Sequence, residues 1–235
     1  MLGNPWKLDA LTYVSISNFG KEIQGAGLQD ADKKQKKTAE ARKTYHHGDL
    51  RAGLVEATRR LVEDKGPDRF SVSDACRAAG VSTAAPYKHF ADREEMLLAV
   101  AREGMERFHD VMQAAVAPHE PGSLEALTRL GLAYIGFAQA EPGVFRLTFG
   151  LTRTHKDHEE MVAQGMRNYG VLLGQIAAHL GKAEVDDAVL RQAFPLWTFV
   201  HGLAFLLIDE KVTALKLTVD LEDLIRESTR RLLSA

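Results

Sequence analysis

Apolar residues recur every three or four positions through most of the chain, beginning with Leu50 and Leu54. This spacing places them on one face of an α-helix. The first run ends at Gly66 and Pro67, and a glycine followed by a proline is a typical helix stop. Beyond that point no segment alternates between apolar and polar residues with a period of two, as a half-buried strand would. The pattern therefore predicts an all-α protein.

Polar residues with capping spacing mark where several helices begin. Ser71 with Asp74, and Asp92 with Glu95, have the three-residue spacing of a capping box, in which each side chain accepts a hydrogen bond from the other residue's backbone. We expect a short helix that ends at Gly80, a third short helix capped by Ser82, and a long amphipathic helix over 92–117. Further helices are predicted near 123–140, 142–149, 158–180, 187–209 and 220–233.

The predicted helix over 187–209 is apolar on nearly all sides. One face carries Val189, Ala193, Leu196, Val200, Leu203 and Leu207, and another carries Leu190, Phe194, Phe205 and Ile208. A helix with one side in water has a single apolar stripe, so this helix has to be covered from two directions. The chain's own core provides one cover, and we expect a partner subunit to provide the second.

Composition places the chain among ordinary globular proteins. Of its 235 residues 45 % are hydrophobic and 26 % charged, which excludes wholesale disorder and collagen-like repeats. Cys76 is the single cysteine, so no disulfide can form within the chain. The longest apolar stretch, 193–208, falls short of the roughly 18 uninterrupted apolar residues of a membrane span, and the first 20 residues lack a signal-peptide pattern. We therefore expect a soluble cytoplasmic protein with no membrane partner.

Charge is unevenly distributed although the formal net charge is only −2. Basic side chains outnumber acidic ones between residues 33 and 95, and the reverse holds after residue 95. Residues 1–43 show no sustained period and are predicted to form a flexible basic extension. Its cluster of basic residues is either an arm that meets a polyanion or a solvated tail.

The segment from Phe70 to Phe90 has the layout of a helix-turn-helix. Two short helices separated only by Gly80 and Val81 have to cross steeply, so the second helix projects from the surface. Cys76 is most simply a member of the small core that holds this crossing, with a reactive thiol as the alternative.

The projecting helix carries side chains suited to duplex DNA. Thr83, Ala84 and Ala85 occupy its exposed first turn and are small enough to approach base edges in the major groove. Tyr87, Lys88 and His89 follow, with groups that suit phosphate oxygens. Tyr87 alternatively closes the small core beneath the helix.

These residues resemble the DNA-binding domain of the TetR family of bacterial transcriptional regulators. The resemblance covers about residues 44–97 and rests on the Ala-Gly-Val-Ser turn, the Tyr-Lys-His-Phe sequence at 87–90 and the Asp-Arg-Glu-Glu-Met-Leu sequence at 92–97. The sequence at 45–51 is similar to one branch of that family, whose C-terminal domain is named for a Trp-His-Gly signature. Trp197, His201 and Gly202 fit that signature. Pro86 departs from the family pattern, which usually has an aliphatic residue there.

The resemblance implies a DNA-binding transcriptional regulator, commonly a repressor, that works at the bacterial nucleoid. It implies a helix-turn-helix domain over 44–91 and a helical ligand-binding and dimerisation domain over 92–235. The implied contacts are Thr83, Ala84 and Ala85 with bases, and Tyr45, Ser71, Ser82, Tyr87, Lys88 and His89 with the DNA backbone. A homodimer is expected to form through the helices at 158–180 (by its edge), 187–209 and 220–233, and to bind a palindromic operator.

The family's second domain commonly holds a cavity for a small-molecule inducer. The residues that would line it here are Phe137, Phe145, Phe149, Met166, Tyr169, Trp197, His201 and Phe205. Aromatic residues at helical spacing are alternatively plain core, and His201 is alternatively a structural residue bonded to a backbone carbonyl. We expect a largely apolar ligand that moves the long helix and so changes the separation of the two recognition helices. No cofactor is expected.

An enzyme and a carrier are the alternative function classes. The chain has no Gly-rich phosphate loop, nucleophile elbow or cysteine pair, so no catalytic role is expected. His155 and His158 have a spacing that suits metal ligands, but no second cluster accompanies them. A helical small-molecule carrier or interaction protein without sequence-specific DNA binding is the second hypothesis, because Ala84 and Ala85 offer no bidentate hydrogen bond to a base.

Overall fold

The computed structural model describes residues 50–150, 159–210 and 220–234, and all regular structure in these ranges is helical. The α-helices are α1 (Leu50–Lys65), α2 (Val72–Ala79), α3 (Arg93–Val116), α4 (Leu124–Ala140), α5 (Pro142–Phe149), α6 (Glu159–His179), α7 (Asp187–Ile208) and α8 (Leu221–Leu233), with a 3-10 helix at Pro86–Lys88. The all-α prediction is confirmed. The basic extension, Tyr45, and the pair His155 and His158 lie outside the described residues.

Helix α2 begins and ends through the local signals in its sequence. The Ser71 hydroxyl accepts a hydrogen bond from the Asp74 amide at 3.1 Å, and the Asp74 carboxylate accepts one from the Ser71 amide at 2.9 Å. Gly80 adopts a left-handed conformation with φ of 70°, which a residue without a side chain reaches at little cost. The capping box and the glycine stop are both present as predicted.

The segment after Val81 differs from the predicted α-helix. The Ala85 amide donates to the Ser82 carbonyl at 3.1 Å, and the His89 amide donates to the Pro86 carbonyl at 2.8 Å, both in the three-residue pattern of a 3-10 helix. Pro86 has no amide proton, so it cannot donate the α-helical bond to the Ser82 carbonyl. The prediction of an α-helix capped by Ser82 is therefore wrong, and a turn followed by a single 3-10 helix takes its place.

Helix α3 connects the N-terminal helices to the rest of the molecule. Its first two turns bury Met96 and Val100 in the core, and its later turns bury Met105, Phe108 and Met112. The Arg93 guanidinium fixes its start, because Nε donates to the Phe70 carbonyl at 3.1 Å and the group lies 4.6 Å from the centre of the Phe70 ring.

A second connection between the two parts of the molecule runs from α1 to α5. Glu63 on α1 accepts hydrogen bonds from the Gly143 amide at 2.7 Å and the Val144 amide at 2.9 Å, so it caps the N-terminus of α5 from another helix. The N-cap residue Glu141 makes no side-chain capping bond; its carboxylate instead accepts hydrogen bonds from two of the Arg107 guanidinium nitrogens at 2.8 and 2.6 Å. The carboxylate of Glu63 also complements the positive end of the α5 dipole.

Helix α4 occupies the centre of the C-terminal part and packs against α3, α7 and α8. Helix α8 turns its apolar residues Leu221 and Ile225 into this core, whereas Arg230 and Arg231 face solvent. Helix α8 therefore presents mostly charged side chains to its surroundings. Helix α7 continues through Pro195 without a break, although Pro195 has no amide proton to donate to the Arg191 carbonyl.

Replacing Gly143 with alanine is expected to destabilise the protein. The added Cβ would lie 2.5 Å from the Val62 carbonyl oxygen and 2.8 Å from the Glu63 Cα, and backbone atoms cannot swing aside as a flexible side chain can. Overpacking of this kind costs about 1–3 kcal/mol, so the free energy of unfolding measured by denaturant titration should fall by that amount.

Gly165→Ala is the matched control, because its added Cβ would meet only the Met105 methyl group at 3.9 Å. This change should be neutral or should stabilise by about 0.5–1 kcal/mol, as expected for a glycine inside a helix. Equal losses in the two variants would contradict the close contact between α1 and α5.

Candidate DNA-binding surface and ligand cavity

The segment from Ser82 to His89 lies on the surface, as the helix-turn-helix prediction requires. Ser82, Thr83, Ala84, Lys88 and His89 are exposed and Ala85 is half-buried. Tyr87 is 63 % exposed, which excludes the alternative that it closes the small core. That role falls to its neighbours Pro86 and Phe90, which are both buried.

A small core holds this segment in place. Ala75, Cys76 and Phe90 are buried, and the Arg51 guanidinium lies 5.2 Å from the centre of the Phe90 ring. Burial raises the pKa of the Cys76 thiol, which disfavours the reactive thiolate. Ser71 is exposed at the start of α2, but its hydroxyl also donates to the Asp74 carboxylate at 2.8 Å. The side chain of Ser71 is therefore already engaged in capping.

A cavity of about 350 Å³ lies among α3, α4, α6 and α7. Four of the eight residues predicted to line such a cavity do so: Phe149, Tyr169, Trp197 and His201. The other four lie elsewhere. Phe137 and Phe145 are buried in the core, Phe205 packs with its ring centre 5.2 Å from that of Phe145, and Met166 is 41 % exposed on the surface of α6.

Several cavity residues were not predicted as lining residues. Met105, Phe108 and Met112 come from α3, where their helical spacing marks a buried face but does not distinguish a cavity wall from packed core. Tyr134 and Asn168 also line the cavity. Their contacts join residues that are far apart in sequence, so no local pattern in the sequence signals them.

Tyr134 and His201 form a buried hydrogen-bonded pair in the cavity wall, beside Trp197. The Tyr134 hydroxyl lies 2.7 Å from Nδ1 of His201, and the ring centres of Trp197 and His201 are 5.4 Å apart. Burial raises the pKa of Tyr134 above its ordinary value and lowers the pKa of His201 to about 4. Both side chains are therefore neutral near pH 7, and the alternative of a His201 bonded to a backbone carbonyl is not what the structure shows.

Asn168 joins α6 to α3 at another part of the cavity wall. Its side-chain nitrogen donates to the Met105 carbonyl at 3.1 Å, and its side-chain oxygen lies 3.0 Å from Nδ1 of His109. Among the described residues that line the cavity there is no Asp, Glu, Lys or Arg. The cavity is consequently an apolar space with a few neutral polar groups.

Exposed apolar side chains lie along α6 and α7. Val162 and Met166 on α6 and Leu190 and Phe194 on α7 are 37–47 % exposed. The glycines Gly170, Gly174 and Gly202 on the same helices have no atom within 4 Å of an added Cβ. Helix α7 is thus covered by the core on one side and left uncovered at Leu190 and Phe194. We call this area the α6–α7 surface.

No helix within the described ranges is both long and apolar enough to cross a membrane. In the same part of the chain, no three His, Cys, Asp or Glu residues come together in a way that would hold a metal ion.

Sequence models of two protein domains match the chain. Residues 54–100 match the model described as bacterial regulatory proteins, tetR family, and residues 127–232 match the tetracyclin repressor-like C-terminal domain. The first match contains the exposed segment after Val81, and the second contains most of the cavity wall.

One curated relative and several solved structures are similar to this chain. The HTH-type transcriptional regulator BetI of Rhizobium meliloti (strain 1021) is 33 % identical over 92 residues, which is 37 % of this chain and 44 % of the relative. A protein of unknown function from Rhodococcus sp. RHA1 has a TM-score of 0.66 and 27 % identity, with 81 % of this chain and 97 % of that chain covered.

Two solved regulators share the fold at lower identity. The fatty acid degradation regulator FadR from Bacillus halodurans has a TM-score of 0.59 at 17 % identity, covering 80 % of this chain and 96 % of that chain. A TetR-family transcriptional regulator from Streptomyces coelicolor has a TM-score of 0.56 at 20 % identity, covering 78 % of this chain and 96 % of that chain. The all-α architecture with an N-terminal helix-turn-helix and a C-terminal helical domain is therefore confirmed.

Acidification should destabilise the protein through His201. Its pKa is lowered to about 4 in the folded protein, against about 6.5 in an unfolded chain. The unfolded state therefore binds a proton that the folded state excludes, and stability is lost as the pH falls from about 6.5 towards 4. The loss between pH 7 and 4.5 should be about 2 kcal/mol in the free energy of unfolding.

His201→Gln supplies the comparison, because it keeps a polar side chain without a titrating group. Unfolding of the two proteins by denaturant at pH 7 and pH 4.5 isolates the contribution of His201. A His201→Gln protein that loses as much stability as the original chain would show that this histidine is not buried in its neutral form.

Proposed function

We propose that this chain, which belongs to the TetR family of bacterial transcriptional regulators, represses transcription by binding a palindromic DNA operator as a homodimer. A small, largely apolar molecule that enters the cavity releases it from the operator. The observation that carries the proposal is the exposed segment from Ser82 to His89, held over a small core in the part of the chain that matches the family's DNA-binding domain.

The exposed segment supplies the contacts with DNA. Thr83, Ala84 and Ala85 approach the base edges, where their small side chains permit close contact with a thymine methyl group. The hydroxyl of Tyr87 and the ammonium group of Lys88 bind phosphates, together with Tyr45, Ser71, Ser82 and His89. The 63 % exposure of Tyr87 supports this assignment. The hydroxyl of Ser71 already caps α2. Ser71 therefore contacts the DNA backbone because it lies at the start of this helix, and not through a free hydroxyl.

The α6–α7 surface forms the dimer interface. Leu190 and Phe194 supply the apolar contact, and the open positions at Gly170 and Gly174 let the partner's helices approach closely. Helix α8 contributes less than the sequence suggested, because its apolar residues are used within the protomer. The two-fold axis of such a dimer presents two recognition segments to half-sites about 34–36 Å apart, or a multiple of that distance.

Ligand binding acts on DNA binding through α3. Met105, Phe108 and Met112 line the cavity, and the start of the same helix is fastened to Phe70 through Arg93. A ligand that shifts α3 therefore changes the separation of the two recognition segments. To move almost all molecules from the DNA-competent state to the other state, the ligand has to bind that other state about 10⁴-fold more tightly. This difference in affinity corresponds to about 5.5 kcal/mol.

Three finer assignments complete the proposal. The helix-turn-helix domain spans 44–91, the ligand-binding and dimerisation domain spans 92–235, and the basic extension precedes both. The protein acts in the bacterial cytoplasm at the nucleoid. It belongs to the Trp-His-Gly branch, which is supported by the positions of Trp197 and His201 in the cavity wall and of Gly202 on an open helix face.

Lys88→Ala should weaken binding to duplex DNA of any sequence. Loss of one phosphate contact should reduce the slope of the logarithm of the binding constant against the logarithm of salt concentration by about one. Fluorescence anisotropy with a generic duplex at several salt concentrations measures this slope. Lys182→Ala removes the same charge from a residue paired with Asp186 between α6 and α7, and its slope should equal that of the unaltered chain. Binding that is absent or independent of salt would support the carrier hypothesis instead.

Phe194→Glu should convert the dimer into a monomer. The change places a carboxylate near the two-fold axis of the α6–α7 surface, where it loses hydration without gaining a partner. Sedimentation equilibrium should give the mass of two chains for the unaltered protein and of one chain for the variant. Val111→Glu is the control, since Val111 is similarly exposed, at 42 %, but lies on α3. A dimer that survives Phe194→Glu would exclude this surface as the interface.

A further inference from the structure

We infer that the cavity takes an uncharged molecule with an apolar body and one hydrogen-bond acceptor, which binds the Nε2–H group of His201. This inference rests on the proposed function only in that the cavity is taken as the ligand site. It specifies which ligands enter and which side-chain atom distinguishes among them.

The tautomer of His201 follows from the hydrogen bonds of Tyr134. Tyr134 is only 6 % exposed, so its hydroxyl proton has to be donated to an acceptor inside the protein. The partner within the described residues that can accept it is Nδ1 of His201 at 2.7 Å. A buried donor without an acceptor is costly, so Nδ1 is the acceptor and the ring proton resides on Nε2.

The Nε2–H group has no hydrogen-bond partner among the described residues. The only bond of the His201 ring within those ranges is the one between Nδ1 and Tyr134. Among the described residues, three side-chain atoms are fully enclosed and have no hydrogen-bond partner: Arg102 Nε, Gln139 Oε1 and Gln164 Oε1. Nε2 of His201 is not one of them. Nε2 therefore borders open space, and the open space that His201 lines is the cavity.

The surroundings of this donor are aromatic. The rings of Phe149, Trp197 and Phe205 have their centres 5.1–5.4 Å from the centre of the imidazole. Phe149 and Trp197 also line the cavity, so a hydrogen-bond acceptor that reaches Nε2 lies among aromatic side chains. The cavity of about 350 Å³ has space for roughly a dozen water molecules at about 30 Å³ each.

Charged ligands are disfavoured by the same wall. The lining residues within the described ranges include no acidic or basic side chain that would balance a ligand charge. A carboxylate at His201 would lose its hydration for a single neutral donor, and a cation would meet a donor of the wrong polarity. An uncharged acceptor such as a ketone, ester or amide oxygen gains the hydrogen bond without this cost.

Three phenylalkyl compounds of similar shape test the inference on the full-length chain in the absence of DNA. Valerophenone has a ketone oxygen, pentylbenzene has no polar atom, and 5-phenylpentanoate has a charged carboxylate. Isothermal titration calorimetry at pH 7 should give dissociation constants about three- to tenfold lower for the ketone than for the hydrocarbon. The carboxylate should bind at least tenfold more weakly than the ketone.

Two variants separate the donor from the group that positions it. His201→Leu should keep its affinity for pentylbenzene but lose or reverse the preference for the ketone, because no donor remains. Tyr134→Phe leaves the imidazole in place but frees Nδ1, so the preference should shrink while hydrocarbon binding persists. Thr128→Val removes a buried hydroxyl on α4 that does not line the cavity, and it should leave the preference unchanged.

Nitrogen NMR of the histidine rings supplies a readout that a merely structural role would not change. The His201 signals, identified by their loss in His201→Leu, should show the proton on Nε2 in the unaltered chain and a mixture of tautomers in Tyr134→Phe. A proton on Nδ1 in the unaltered chain, equal affinities for ketone and hydrocarbon, preferred binding of the carboxylate, or no binding of any of the three compounds would each overturn the inference. Failure of DNA binding or dimerisation would appear separately, since neither enters these measurements.

Discussion

The structure depends on one helix being buried in two places. Helix α3 packs its first turns among the N-terminal helices through Met96 and Val100, and its later turns against α4 and α6 through Met105 and Phe108. Because both parts of the molecule share this continuous element, neither core can rearrange without displacing residues of the other. The Arg93 contacts with Phe70 make the start of α3 part of the N-terminal unit rather than a linker. Because of this constraint, a change at the cavity in the C-terminal part can displace the exposed segment in the N-terminal part.

Polar groups in the cavity wall are few, and each has a defined arrangement. Asn168 is hydrogen-bonded through both its side-chain nitrogen and its side-chain oxygen, and Tyr134 is hydrogen-bonded to His201. Satisfied buried groups of this kind stabilise a single packing of the core, since breaking any bond leaves a polar atom without a partner. The same arrangement keeps His201 neutral and orients it. A wall with so few polar atoms recognises ligands through shape and a single hydrogen bond rather than through charge.

Much of the fold was predictable because its signals are local. Ser71 with Asp74 and the left-handed Gly80 define α2 through contacts within a few residues, and the uncovered positions Leu190 and Phe194 follow from the spacing of apolar residues along α7. The segment after Val81 was predicted as an α-helix, although Pro86 already removes the required amide.

Only half of the predicted cavity residues line the cavity. Helical spacing shows that Phe137 and Phe145 are inside, but which inner residues border empty space depends on packing between distant helices.

The cap that Glu63 places on α5 has a further consequence for how the molecule deforms. Helix α5 has only eight residues; Gly143 near its start touches α1 without spare room, and Phe149 at its end borders the cavity. So short a helix cannot bend appreciably, and its two amides are tied to a carboxylate on α1. A displacement at the Phe149 end must therefore either break the Glu63 bonds or tilt α1 together with α2. Helix α5 and its contacts with α1 thus form a second, shorter connection between the cavity and the N-terminal helices, in parallel with α3. If one of these two connections were lost, the other would still couple the two parts of the molecule.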